Sequence, residues 1–304
     1  MVGLFHLLHN NYDHPPFRRS FSGLKIISFI IAVLFLISSA PLWAEKPEPR
    51  SGVITAASFN IRQFSTGSRD DYELHNICLV VKDFDFIALQ EVRDTEILER
   101  LVLYLKHRFN LPFSYIATGK LGRSSHTERY AFLFRNDKIE YMDTSGVMGD
   151  PEDVFIREPF FGKFRAGNFD FFAVSFHCIY GDTVRERREE VGFLDDVYRL
   201  VDAIDGDQDI LFFGDFNLPP DDKAFDEFHH DLFLKSVNYH APTTIKDNLY
   251  DAIWFNPEEL REYTGSFGIV NFDEEMFFGY DDYASRIVSD HRPIWAQFFT
   301  GAAD

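Results

Sequence analysis

Short apolar runs that end abruptly in polar residues alternate along this chain with segments whose apolar residues recur at helical spacing. The apolar run over residues 210–213 leads directly into Gly214, Asp215 and Asn217, and two prolines follow at positions 219 and 220. Such a run is typical of a buried strand that delivers polar groups to the edge of a sheet. An isolated Gly-Asp-x-Asn sequence could equally form a simple turn. Several other apolar runs end in the same way, which favours a functional edge.

Besides that run, the pattern predicts strands in residues 53–61, 84–90, 114–117, 130–134, 139–142, 160–164, 169–176, 249–255 and 294–299. It predicts helices in residues 72–81 and 94–109, and a third from Thr183 to Val201 whose start carries a capping box with Glu186. Many of the strands are short and follow one another through tight turns. This mixture favours an α/β sandwich of two packed sheets with outer helices over a doubly wound parallel sheet.

The N-terminal 44 residues have a different pattern. Arg18, Arg19 and Lys25 precede an apolar run over residues 26–37, and small residues follow it. This order is typical of a secretory signal peptide. A bilayer span needs about 20 residues, so an uncleaved membrane anchor is the alternative. We therefore expect a secreted or periplasmic protein with a signal peptide or anchor in residues 1–44, a linker in 45–52, one domain in 53–299 and a tail in 300–304.

The charge of the chain is strongly negative, at −19 over 304 residues. Residues 1–44 hold one acid and three bases, so the remainder has 48 acids and 27 bases, a net charge of −21. This field repels a polyanion such as DNA, so DNA binding would depend on local arginines and bridging cations. The two cysteines, Cys78 and Cys178, allow one disulfide or none.

Polar groups with useful chemistry lie at the predicted strand ends. They are Asn60, Glu91, Glu128, His177, Asp215, Asn217, Asp251, Asp290 and His291. Oxygen ligands of this kind suit Mg²⁺, Mn²⁺ or Ca²⁺. Two histidines that can each pair with an acid suit proton transfer near neutral pH. Each residue alone is more typical of a turn, a cap or a half-buried side chain, but their joint occurrence favours metal-assisted hydrolysis.

Several motifs resemble those of the endonuclease/exonuclease/phosphatase superfamily, and within it those of the deoxyribonuclease I-like branch. The motifs are Ser58-Phe-Asn-Ile-Arg-Gln-Phe64, Leu89-Gln-Glu-Val-Arg-Asp94, Leu121-Gly-Arg-Ser-Ser-His-Thr-Glu-Arg-Tyr130, Arg157-Glu-Pro159, Gly214-Asp-Phe-Asn217, Tyr250-Asp251 and Ser289-Asp-His-Arg-Pro293. The resemblance spans residues 54–298. It implies a four-layer α/β/β/α sandwich made of two packed mixed sheets with outer helices.

The resemblance also implies roles for the polar residues. Asn60, Glu91 and Asp290 would lie near a divalent metal, Mg²⁺ or Mn²⁺, with Asp215 and Asn217 around the attacked phosphate. Glu128 would orient His177, and Asp251 would orient His291. The implied activity is an endonuclease that cuts DNA, which we expect to be double-stranded, with little sequence preference. Together with the signal-peptide pattern, this predicts an exported enzyme, and we expect it to be a monomer. The alternatives are another phosphodiesterase of the superfamily, such as a sphingomyelinase-like phospholipase, and a catalytically silent binding protein.

Further residues match positions that in the family approach DNA or calcium. Those expected to contact DNA are Arg62, Arg93, Arg123, Ser124, His126 and Arg157. His126 stands where the family has a tyrosine. Asp153, Phe155 and Glu158 match part of a structural Ca²⁺ site, but the loop before them is shortened. The second calcium loop of the family is largely missing before Asp251, and Lys246 stands where a site threonine is expected.

Overall fold

The computed structural model describes residues 46–123, 127–206 and 209–301, which belong to one compact unit. The signal peptide or anchor expected in residues 1–44 therefore lies outside the described residues and stays a prediction. Within the described part of the chain, no helix is both long and apolar enough to cross a membrane.

Twelve strands of the described chain form two six-stranded mixed sheets. In the first sheet the strands lie in the order β11-β12-β1-β2-β4-β3. Their bounds are β1 Val53–Phe64, β2 Phe86–Val92, β3 Phe113–Ala117, β4 Arg129–Arg135, β11 Tyr263–Ile269 and β12 Ile294–Phe299. In the second sheet the order is β5-β6-β7-β8-β10-β9. These strands are β5 Glu140–Val147, β6 Phe160–Ala166, β7 Phe169–His177, β8 Ile210–Asp215, β9 Lys235–Ser236 and β10 Asp251–Phe255.

The helices cover the outer faces of the two sheets. They are α1 Asp71–Val81, α2 Thr95–Phe109, α3 Val184–Val191, α4 Leu194–Asp202, α5 Asp226–His230, α6 Phe272–Phe277 and α7 Asp281–Ile287, with a 3₁₀ turn at Lys223–Phe225. Helices α1 and α3 begin with capping boxes, formed by Asp70 with Glu73 and by Thr183 with Glu186. These boxes satisfy backbone N–H groups that the first helical turn leaves without partners.

Alternate residues along each strand point to opposite faces of its sheet, one toward the core between the sheets and the other toward the outer helices. In β1, Ile54 and Ala56 face the second sheet, whereas Ala57 and Phe59 pack against helices α1 and α2. Aromatic rings dominate the interface between the sheets, where Phe86 packs edge-on against Phe164 at a centroid distance of 4.9 Å. This arrangement confirms the predicted sandwich of two packed sheets with outer helices.

Three features differ from the pattern-based prediction. Strand β1 continues beyond its predicted end at Ile61 to Phe64 through a bulge, in which Arg62 and Gln63 adopt positive φ angles. The predicted third helix is divided at Gly192 into α3 and α4. Strands β9 and β11 and helices α5 to α7 were not predicted, because their apolar residues are few or lack clear periodicity.

Two parallel strand pairs position the predicted site. β1 pairs with β2 so that Asn60 lies opposite Gln90, and β7 pairs with β8 so that His177 lies opposite Asp215. The carboxyl ends of parallel strands meet at the same edge of a sheet. Strand β10 runs antiparallel to β8 and begins at that edge, with Asp251 opposite Asp215.

Candidate active site

Gly214 allows strands β7 and β8 to approach closely at the edge of the second sheet. A Cβ atom at position 214 would lie only 2.1 Å from the carbonyl oxygen of Phe176. The side chain at this position must therefore be absent, since so short a contact would force the two backbones apart. Close packing of the two strands thus requires glycine at position 214, and this packing keeps Asp215 beside His177.

The first acid–histidine pair is buried between the two sheets. Nδ1 of His177 lies 2.7 Å from Oε1 of Glu128, and Nε2 of the same ring lies 3.6 Å from Oδ2 of Asp215. Tyr130 holds the backbone of His177 in place, because its phenolic oxygen accepts a hydrogen bond from the backbone N–H of His177 at 3.0 Å. The ring is therefore fixed with one nitrogen on Glu128 and the other directed toward Asp215.

The second acid–histidine pair approaches the same carboxylate from β10 and the chain before β12. Nδ1 of His291 lies 2.8 Å from Oδ2 of Asp251, and its Nε2 lies 3.6 Å from Oδ2 of Asp215. The hydroxyl of Ser289 braces this segment, because it donates to the carbonyl of Asn60 at 2.7 Å and accepts from the N–H of His291 at 3.1 Å. The two pairs thus converge on one oxygen of Asp215.

The charges of the first pair support each other. Burial alone would raise the pKa of Glu128, but the charge and hydrogen bond of His177, together with Arg157, outweigh it and lower that pKa. Burial and Arg157 would lower the pKa of His177, but Glu128 and Asp215 raise it instead. A carboxylate that accepts from an imidazole N–H stabilises the imidazolium in this way.

The second pair also favours the protonated form of its histidine. Burial opposes the charged form of His291, but the carboxylates of Asp251 and Asp215 prevail and raise the pKa of His291 to about 10. Burial is also the main cause that raises the pKa of Asp251, to about 6. At neutral pH the favoured state is an imidazolium at His291 beside an ionised Asp251.

The residues predicted to lie near a metal flank this cluster. The amide nitrogen of Asn60 donates to Oε1 of Glu91 at 3.2 Å and to Oδ2 of Asp215 at 3.1 Å. Oε2 of Glu91 accepts from the backbone N–H of Gln63 at 2.9 Å, in a conformation that places Glu91 at a φ of 62°. Positive φ at a non-glycine residue stores backbone strain and is frequent at functional sites.

The donor set fits a hard divalent cation. Two carboxylates converge on one neutral amide, and a third, Asp290, stands on the adjoining segment with Oδ1 3.6 Å from Nε of Arg62. Oxygen-rich groups with excess negative charge are typical of Mg²⁺ and Mn²⁺ sites. Among the described residues, Asp215, Asp251 and His291 also present ligand atoms within 4.8 Å of one another and could hold a metal ion.

Asn217 is held beside the cluster by the loop that follows β8. Its backbone N–H donates to Oδ1 of Asp215 at 3.0 Å, and its side-chain amide donates to the carbonyl of Cys178 at 2.8 Å. Arg187 of α3 donates to the carbonyl of Asn217 at 3.2 Å. Asn217 has a φ of 52°, so the turn geometry considered from the sequence does occur, and it fixes the Asp215 carboxylate.

The four arginines expected at DNA occupy different positions. Arg62 lies near Asp290, and Arg93 lies 3.7 Å from Oε2 of Glu91, so both stand at the rim of the cluster. Arg157 is buried and donates to the carbonyls of His177 and Cys178. Its expected contact with DNA stays a prediction, while the structure gives Arg157 a second role, which is to support the end of β7 that carries His177.

Arg123 instead contacts the residues expected at calcium. Its Nη2 atom lies 2.6 Å from both the carbonyl and Oδ1 of Asp153, and 3.2 Å from the carbonyl of Phe155. The carboxylate of Asp150 accepts from the N–H groups of Val154 and Phe155. In this conformation a guanidinium therefore contacts two of the three residues expected at calcium, and the calcium site itself stays a prediction. Glu158, the third residue expected at calcium, is partly exposed.

Ser124 and His126, which were expected at DNA, lie outside the described residues. Their expected roles stay predictions. The two cysteines are free and buried, so neither forms a disulfide.

One supporting residue was not predicted from the sequence. Arg69 is buried and donates to the carbonyls of Ile61, Arg62, Arg286, Ile287 and Val288, at distances from 2.6 to 3.5 Å. It joins the bulge after Asn60 to the end of α7, just before Ser289 and Asp290. Burial is the main cause that lowers the pKa of Arg69 from its usual value. No motif marks this arginine, whose partners are all backbone atoms.

Comparisons with known proteins agree with this geometry. The Endonuclease/Exonuclease/phosphatase family matches residues 57–291. A deoxyribonuclease of Thioalkalivibrio sp. (strain K90mix) is 31% identical to this chain, over 89% of this chain and 75% of that protein. Deoxyribonuclease-1 of Bos taurus is 28% identical, over 78% of this chain and 89% of that protein.

A solved structure has the same fold. It is an endonuclease/exonuclease/phosphatase from Bacteroides vulgatus, which superposes with a TM-score of 0.60 at 20% identity and covers 81% of this chain and 98% of its own. At this identity the likeness concerns the fold alone.

Proposed function

The chain belongs to the Endonuclease/Exonuclease/phosphatase family, and on that premise we propose that it is a divalent-metal-dependent endonuclease that hydrolyses phosphodiester bonds of DNA. The observation that carries the proposal is the convergence of two acid–histidine pairs on one oxygen of Asp215, at 3.6 Å from each ring. Two imidazoles beside one carboxylate can hold a water and a phosphate between them. The similarity to two deoxyribonucleases supports DNA as the substrate.

The proposed reaction is an in-line displacement at phosphorus. A water oxygen forms a new bond to phosphorus while the bond from phosphorus to the leaving sugar oxygen breaks. Asp215 lies at the centre of the cluster, where it orients the water and accepts its proton with assistance from His177. His291 carries a proton at neutral pH, since its pKa is raised to about 10, and it donates to the phosphate or to the leaving oxygen.

A bound Mg²⁺ or Mn²⁺ would neutralise charge on the attacked phosphate. Glu91, Asn60 and Asp290 are the residues that would hold the cation, with Asp215 beside them. Carboxylate and amide oxygens are the ligands that these cations prefer, which supports dependence on a divalent metal.

Low sequence preference is part of the proposal. Arg62 and Arg93 stand at the rim of the cluster, where they suit contacts with phosphate oxygens. Contacts to the backbone position DNA but carry no sequence information. We also propose export of the chain, on the signal-peptide pattern of residues 1–44.

The test is a nicking assay on supercoiled plasmid with the full-length chain, in Mg²⁺, Mn²⁺, Ca²⁺ or EDTA. We expect nicking in Mg²⁺ or Mn²⁺ and none in EDTA. A parallel reaction with sphingomyelin tests the related phospholipase activity. Intact plasmid together with hydrolysed sphingomyelin would overturn the proposal.

A further inference from the structure

A small pocket adjoins the catalytic cluster beside the start of β10. Its volume is about 240 Å³, slightly below the range of about 300–1,000 Å³ that is usual for pockets of drug-sized ligands. Asn217 and His291 form its catalytic side. The other side is lined by Tyr180, Lys246, Asn248 and Tyr250. The size suits a single nucleotide unit rather than a longer stretch of chain.

Lys246 stands on a tight turn that is tied directly to the catalytic segment. The backbone N–H of Asp247 donates to the carbonyl of Thr244 at 3.1 Å, which places Lys246 within the turn. The N–H of Ile245, the preceding residue, donates to the carbonyl of Asp290 at 2.9 Å. The lysine is exposed, but its backbone is fixed next to Asp290 and His291. A cation held in this way suits a phosphate group adjacent to the one that is attacked.

Tyr180 offers an aromatic surface in the same pocket. Tyr180 is 61% exposed, and the guanidinium carbon of Arg187 lies 3.9 Å from the centroid of its ring. Arg187 also donates to the backbone carbonyls of Tyr180 at 2.6 Å and of Asn217 at 3.2 Å. The arginine therefore supports the ring and the catalytic loop together. An exposed, supported aromatic ring is a surface on which a base can stack.

We propose that this pocket binds the nucleotide next to the scissile phosphate, with its phosphate at Lys246 and its base stacked on Tyr180. The inference rests on the proposed nuclease function and names the substrate more closely. The preferred substrate is a polynucleotide with a further phosphate beside the attacked bond, and small diesters that lack this phosphate are poorer substrates.

The main test replaces Lys246 by methionine, which keeps the length of the side chain and removes its charge. Steady-state kinetics compare an oligonucleotide duplex with bis(p-nitrophenyl) phosphate, a diester without a flanking phosphate. We expect Lys246→Met to lower kcat/KM about tenfold more on the duplex than on the small diester, mainly through KM. Loss of one phosphate contact should also reduce the slope of log(kcat/KM) against log[NaCl] by about 0.7–0.9.

The control variant is Lys106→Met, in the last turn of α2. It removes an equal charge from an exposed position that does not line the pocket. Neither the duplex-to-diester ratio of kcat/KM nor the salt slope should therefore change. For the aromatic surface, Tyr180→Ala should lower kcat/KM on the duplex about fivefold to tenfold, whereas Tyr180→Phe, which keeps the ring, should retain the wild-type value.

The outcomes separate this inference from the proposed function. If the wild-type protein cleaves the small diester but no nucleic acid, the proposed function is overturned and this inference with it. Suppose instead that the wild-type protein cleaves DNA, but Lys246→Met keeps the wild-type ratio of kcat/KM between duplex and small diester and the wild-type salt slope. Only the pocket inference is then overturned. An equal loss on both substrates also overturns it, because the lysine would then support the chemistry or the fold.

Discussion

His177 and His291 face each other across one carboxylate oxygen, since the Nε2 atom of each ring lies 3.6 Å from Oδ2 of Asp215. His177 ends strand β7, whereas His291 lies in the segment before β12, and the two rings are held by different acids, Glu128 and Asp251. This relationship leads to the first prediction.

His177→Ala and His291→Ala should each reduce plasmid cleavage by about 10²-fold or more, because each removes a proton-transfer group. The double variant should lose less than the product of the two effects, since both rings serve the same carboxylate. Single-turnover rates of nicking measure all three variants. His107→Ala, which alters an exposed histidine of α2, is the matched control. Wild-type rates of nicking in both single variants would contradict the proposed mechanism.

Arg69→Met should destabilise the fold by about 3 kcal/mol or more, because five backbone carbonyls lose their buried donor. For a domain of this size we expect the thermal midpoint to fall by about 6–12 °C. Differential scanning calorimetry gives the shift. Arg100→Met serves as the control, since Arg100 is a partly exposed neighbour that donates to one carbonyl and to Asp71, and it should change stability by less than about 1 kcal/mol.

Chelation of calcium should leave the protein unchanged, because Arg123 already contacts the oxygen atoms of Asp153 and Phe155. In EGTA with Mg²⁺ present, we expect the same unfolding midpoint and the same rate of thermolysin cleavage as in Ca²⁺. Arg123→Ala should speed thermolysin cleavage within residues 149–158, whereas Arg261→Ala, at an exposed position elsewhere, should not. A wild-type protein that loses protection in EGTA would show that the loop depends on calcium.

The ion pair between Arg188 and Asp222 should make stability depend on acid pH. A hydrogen bond from Arg188 is the main cause that lowers the pKa of Asp222 below its usual 3.8. The pair joins α3, which carries Arg187, to the loop after β8. A carboxyl with a depressed pKa contributes stability above its unfolded pKa and loses it as pH falls through its folded pKa.

Asp222→Asn should therefore be less stable than wild type at pH 7, and the difference should close as pH falls below about 4. Urea unfolding at pH 7, 5 and 3 measures this change. Asp226→Asn, in the first turn of α5, is the control with one carboxylate fewer. A stability difference that stays constant down to pH 3 would contradict the assignment.

The sequence by itself determined the sandwich of two sheets and most of the groups at the site. Apolar runs that end in Asn60, Glu91, His177 and Asp215 predicted both the strands and the edge at which they meet. The prediction of these strands and of their shared edge succeeded because strand periodicity, turn residues and helix caps are local properties of the chain. The motifs then indicated which acid would pair with which histidine, and the structure places Glu128 beside His177 and Asp251 beside His291.

Only the tertiary structure decided what the arginines do. Arg69 and Arg157 are buried and donate to backbone carbonyls, whereas Arg123 contacts Asp153, 30 residues farther along the chain. All three carry the same charge, so the sequence does not distinguish them. Packing between segments likewise divided the third helix at Gly192 and placed Tyr180 and Lys246 in one pocket. A guanidinium or an ammonium can serve a carbonyl, a carboxylate or a phosphate, and which of these lies within reach depends on contacts between residues far apart in sequence.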